Sequence, residues 1–165
     1  MYNSDTTSRC EGCKSPTRMT VGCPFITCAV KKRGIEFCWQ CSESASCEKW
    51  ANHRKAGRQY DSFKCYQKLE ADIQFVLDHG VMEFELQQKI RETLLKEMLS
   101  EFNDGRSKSY YCIASTVLAV DELQEVLEKA KEQTKGLVLK EKSKIMHMLL
   151  EQISRKKGYL LKLRK

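Results

Sequence analysis

From about residue 61 onward, apolar residues return every three or four positions and proline is absent, which is the pattern of amphipathic helices. Five are predicted. The first spans about residues 61–79, with Leu69, Ile73, Val76 and Leu77 inward, and stops at Gly80, a natural C′ glycine. The second spans about residues 82–102 on a stripe of Leu86, Ile90, Leu94, Met98 and Phe102, and is expected to pair with the first as an antiparallel hairpin. The break Asn103-Asp104-Gly105 leads to a third, about residues 107–119, using Ile113, Val117 and Leu118. Asp121 can cap or open a fourth, which runs to about Gln133 with Leu123, Val126, Leu127 and Ala130 inward. After Gly136 a fifth, about residues 140–157, presents Ile145, Met148, Leu149 and Ile153, and Gly158 ends it.

The first third of the chain lacks this periodicity. Met1 to Arg9 are polar and read as a frayed start. Short helical turns after Cys28 ending at Gly34, a brief extended Ile35-Glu36-Phe37 and a helix start near Glu48 are the only elements its pattern suggests, and Asn52 to Gln59 reads as a basic hinge. The predicted class is therefore mainly α: a small cysteine-rich module over residues 1–52 and an all-α domain of about five helices over residues 53–165.

Cysteine usage changes the picture most. Seven of the nine cysteines fall between Cys10 and Cys47, as C-x2-C (Cys10, Cys13), C-x4-C (Cys23, Cys28), C-x2-C (Cys38, Cys41) and then Cys47. A two-residue spacer lets a tight turn aim both sulfurs at one tetrahedral ion about 2.3 Å away. Seven thiols do not complete two four-ligand sites, and His53, six positions after Cys47, is the candidate eighth ligand. Neighbour pairing gives Cys10, Cys13, Cys23 and Cys28 one ion and Cys38, Cys41, Cys47 and His53 another. Cross-bracing joins Cys10 and Cys13 to Cys38 and Cys41, and leaves Cys23, Cys28 and Cys47 to share a second ion or stay free. Spacing alone permits both. The expected cofactor is zinc, one or two ions. An iron–sulfur cluster is the alternative, disfavoured because the C-x2-C pairs stand apart and the tight ferredoxin runs are missing. Sites closed by four such ligands leave no position for water or substrate, so the metal is expected to be structural. Cys65 and Cys112, among apolar helical neighbours, read as core thiols.

The segments Cys10-Glu11-Gly12-Cys13, Ile26-Thr27-Cys28-Ala29, Glu36-Phe37-Cys38-Trp39-Gln40-Cys41 and Cys47-Glu48-Lys49 resemble the cysteine-rich prokaryotic domain-of-unknown-function family 3795. The resemblance covers about Cys10 to Trp50. It departs from the family pattern in lacking further upstream cysteines and in carrying Ser46 where a proline usually precedes the last cysteine. It implies metal binding and names no reaction.

Neither a secretory leader nor an apolar run of membrane-spanning length is read in the sequence, so a soluble, cytoplasmic protein with no membrane partner is expected. Cytosolic reduction then favours metal over disulfides. Net charge is +7, and a four-thiolate zinc plus a three-thiolate, one-histidine zinc would lower it to +4, a modest pull toward anions. Basic residues gather at Lys31-Lys32-Arg33, at Arg54, Lys55 and Arg58, and from Arg155 to Lys165. The loop Arg106, Ser107, Lys108 and Ser109 enters a helix and is a candidate anion site, with an ordinary capped turn as the plain alternative. No Ser-His-Asp, H-E-x-x-H or glycine-rich dinucleotide signature is present, which argues against an enzyme. The reading is a zinc-binding adaptor with a protein partner. The alternatives are a nucleic-acid-associated zinc protein and a thiol or iron–sulfur redox sensor.

Overall fold

A computed structural model describes residues 22–62 and 64–165, and among these the chain is helical, with no strand. The expected frayed start, Cys10 and Cys13 lie outside the described residues. The chain divides into two compact units, Met1–His53 and Arg54–Lys165.

In the first unit, residues 24–33 are helical, and their middle, Ile26–Lys32, runs as a π-helix, the wide register that hydrogen-bonds five residues back. The chain then reverses at Gly34, where Ile35 N–H returns to Ala29 O at 3.0 Å. Two 3-10 turns follow, Cys38–Gln40 and Ser44–Ser46. Gln40 Oε1 anchors the first by accepting from the backbone N–H groups of Phe37 (2.9 Å) and Glu36 (3.1 Å). The Phe37 and Trp39 rings stack at 4.5 Å. Among the described residues of this unit, only Ala29 and Trp50 are buried. That is a very small apolar interior.

Helix α1, Glu48–Gln59, begins after Cys47 and contains the segment read from sequence as a hinge. The hinge reading is corrected: Arg54 and Arg58 both reach Glu70, and Gly57 is packed under Leu69 and Tyr66, so these basic residues have fixed positions along a helix.

The remaining helices of the second unit are α2 (Leu69–His79), α3 (Val81–Glu101), α4 (Lys108–Val117), α5 (Val120–Gln133) and α6 (Leu139–Lys156). α3 packs on α2, α4 and α5, and α6 packs on α5 and α4. The core gathers Met98, Phe102, Tyr111, Leu118, Leu123, Val126, Met146 and Leu150. Gly80 adopts φ 86°, which ends α2 and opens α3 with no spacer. No helix among the described residues is long and apolar enough to cross a membrane.

Three sequence expectations shift. The helix placed at residues 61–79 starts only at Leu69, because Asp61 is committed elsewhere: its carboxylate takes the Tyr66 N–H at 2.6 Å and the backbone and side chain of Arg164. The stripe on α3 was drawn every four residues, and each such step overshoots a turn by roughly 40°. Leu86 therefore lies 52 % exposed, whereas Arg91, Leu94 and Met98 form the buried line. On α6 the buried line is Ser143, Met146, Leu150 and Ser154, with Met148 in solvent. Two serines on the inner face hid that line from a count of apolar positions. Leu77, expected inward, is likewise exposed.

Candidate functional site

The described cysteines of the first unit, Cys23, Cys28, Cys38, Cys41 and Cys47, are all unbridged and all partly buried. Cys23 lies just before the helical segment and Cys28 within its π-helical part. Cys38 opens the first 3-10 turn, Cys41 closes it, and Cys47 follows the second. Burial pushes the Cys38 thiol up, and the sulfurs of Cys47, Cys28, Cys41 and Cys23 push it further. The thiols thus act on Cys38 through their charge.

A cation attends them. Arg33 Nη1 donates to Cys41 Sγ at 3.3 Å, while Nη2 pairs with Glu43. The guanidinium is held above its ordinary range first by Glu43 and then by Cys41, with Cys28 contributing. Sequence reading placed Arg33 only in a basic run. The signal available was its position five residues after Cys28, on the segment that turns back toward the other thiols.

The donor set fits a thiophilic ion: several sulfurs, none consumed in an S–S bond, with a neighbouring cation to offset thiolate charge. Among the described residues no three His, Cys, Asp or Glu side chains converge tightly enough to hold an ion by themselves. His53 sits against aromatic rings, 5.0 Å from Phe25 and 5.9 Å from Trp50 between centroids.

In the second unit, the loop proposed for anions already carries one of its own. Asp104 Oδ1 accepts from Arg106 N–H (3.1 Å) and Ser107 Oγ (2.9 Å), and these contacts hold its carboxyl below the usual range. Ser107 is buried, and Lys108 begins α4. Because the Ser107 proton goes to a carboxylate, His147 Nε2, at 2.8 Å, must be the donor to Ser107 Oγ, which fixes the imidazole tautomer. Tyr110 stacks on His147 at 4.1 Å, and its hydroxyl donates to Glu151 at 3.0 Å. His147 and Ser107 lie 40 residues apart, so nothing in the local sequence pattern joins them. Cys65 packs at the edge of the helical core, and burial pushes the Cys112 thiol up, in line with apolar surroundings.

Six of the twelve residues in the basic clusters form ion pairs among the described residues. Arg33 binds Glu43; Arg54 and Arg58 bind Glu70; Arg155 binds Glu151; Lys157 binds Glu122; Arg164 binds Asp61.

No curated protein and no solved structure matches this chain. Residues 1–52, less than a third of the 165 residues, match the family described as Protein of unknown function (DUF3795).

Proposed function

We propose that this protein is a non-catalytic binding protein whose N-terminal module is built around structural zinc. One observation carries the reading: five unbridged thiols lie between Cys23 and Cys47 in a unit where only Ala29 and Trp50 are buried among the described residues. So small an apolar interior does not offset the conformational entropy of ordering the segment, and thiolate–metal bonds are the available substitute. By their spacing Cys10 and Cys13 would supply two further thiolates, and Arg33, which donates to Cys41, would offset part of the charge that ligation creates.

A protein partner is favoured over nucleic acid by the pairing of the basic residues. Guanidinium and ammonium groups engaged with Glu43, Glu70, Glu122, Glu151 and Asp61 release fewer counterions from a phosphate backbone than free ones do.

Chelation tests the metal reading. Protein purified without added metal should show few reactive thiols, and a strong chelator should expose the module's cysteines and remove its near-ultraviolet signal from Trp39 and Trp50 while the helical unit stays folded. Thiols that react equally with and without chelator refute the metal. Iron with acid-labile sulfide in place of zinc replaces this reading with the cluster one. Tight, strongly salt-dependent binding to mixed oligonucleotides overturns the choice of partner.

A further inference from the structure

An open cleft of about 520 Å³ lies in the helical unit where α2, α3, the α4–α5 junction and the segment after α6 meet. Its distinctive wall is Arg91, only 5 % exposed, a charge on the buried line of α3. Nη1 donates to the carbonyls of Ser115 (2.7 Å) and Leu118 and so closes the C-terminal end of α4. Nε and Nη2 carry three further N–H groups with no acceptor among the described residues. The one fully occluded side-chain nitrogen or oxygen without a partner among these residues is Ser115 Oγ, so Nε and Nη2 of Arg91 are not completely occluded, and Arg91 lines the cleft.

Two of the three acids that line the cleft are engaged elsewhere. Asp72 pairs with Lys68 at 3.4 Å, and Glu122 with Lys157 at 3.1 Å and with Ala119 N–H at 2.9 Å. Burial pushes the Asp72 carboxyl up, opposite to the effect of a close ion pair with Arg91. Burial also lowers Arg91 itself, with Asp72, Asp121 and Tyr159 acting on it only through their charge. The result is a desolvated guanidinium with one edge unoccupied.

We propose that this cleft binds a small organic monocarboxylate, its carboxylate on the Nε–Nη2 edge of Arg91 and its apolar body against Phe75 and Tyr159. That edge presents two parallel N–H groups at the spacing of carboxylate oxygens. Phosphate offers no apolar body to lie against Phe75 and Tyr159, so a monocarboxylate with such a body is preferred to it.

The test uses the full chain with benzoate as probe and inorganic phosphate as control, read from the Arg91 Nε–H resonance by NMR. Ala71→Trp and Gln124→Trp enter the cleft from two exposed positions that take no part in the Arg91 contacts to α4, and the helical signal at 222 nm checks that each variant folds. Benzoate should shift the resonance saturably, and each tryptophan variant that folds should weaken binding by at least about tenfold. Arg91→Lys, which keeps charge and loses the fork, should weaken it similarly. Absence of a saturable shift overturns the proposal. So does binding unchanged by the tryptophan variants, or phosphate acting as well as benzoate, since each means that the Arg91 edge serves only to close α4.

Discussion

Asp61 offers the sharpest test of how the helical unit holds its C-terminal tail. Its side chain has no exposure and accepts four hydrogen bonds: Oδ1 from Tyr66 N–H (2.6 Å) and Arg164 Nη2 (2.9 Å), Oδ2 from Arg164 N–H (2.8 Å) and Nε (3.2 Å). Asp61 N–H in turn donates to Arg164 O at 2.9 Å. Asp61→Ala removes the carboxylate and leaves the guanidinium and two backbone N–H groups, those of Tyr66 and Arg164, without it. Breaking one side of a buried pair costs about 3–5 kcal/mol. Arg164 keeps 20 % side-chain exposure and its bonds to Gly57 O and Arg58 O, so the low end applies, about 3 kcal/mol. Asp61→Asn keeps the shape but loses the charge and turns one accepting oxygen into an NH2 that faces two donors, so it should cost about as much as the alanine variant. Urea unfolding of the helical signal at 222 nm reads both.

A pH series sharpens the test. Burial works against ionisation of Asp61, but the Arg164 side-chain and backbone donors and Tyr66 N–H outweigh it, and the folded carboxyl titrates below its ordinary value. The unfolded chain then takes up its proton first as pH falls. The contribution is therefore complete above the unfolded value of about 3.9 and is lost as pH falls through the folded one. The gap between wild type and Asp61→Ala should stay constant from about pH 7 to 5 and narrow below about 4. An alanine cost under about 1 kcal/mol, or costs of Asp61→Ala and Arg164→Ala that simply add, would refute the tether.

Two further outcomes follow. His147 is pushed down by burial, against the pull of Asp104 and Glu151, so the unfolded chain binds more protons just below pH 6.5; stability should fall with pH from about 6.5 downward, and His147→Gln should flatten that window in thermal melts. Met98 is 1 % exposed and Met82 86 %: Met98→Ala should cost about 2–5 kcal/mol in urea unfolding and Met82→Ala about 0.5 or less, and comparable costs would contradict the assigned core.

The helices from α3 to α6 were legible almost to their ends, because their boundaries are written locally. Gly80 and Gly158 take φ values of 86° and 74° that other residues resist, and the break Asn103-Asp104-Gly105 separates two apolar runs. Links between distant residues were not legible. Asp61 and Arg164 lie 103 positions apart, and nothing beside either announces the other. Arg91 was visible in principle, three residues before Leu94 and seven before Met98 on one helical face, but a stripe drawn every four residues steps past it. The module was legible as chemistry rather than as structure. Cysteine spacing nominates the donors that the zinc proposal uses, while the π-helical stretch around Cys28 and the contact of Arg33 with Cys41 depend on how the turns fold back.

X-ray absorption at the zinc edge, on protein purified without added metal, addresses the central claim most directly. The account predicts stoichiometric zinc with a sulfur-dominated first shell at about 2.3 Å, lost when the cysteines from Cys10 to Cys47 are replaced by serine. A module that stays ordered in metal-free protein, or a zinc shell made of oxygen and nitrogen, would contradict it.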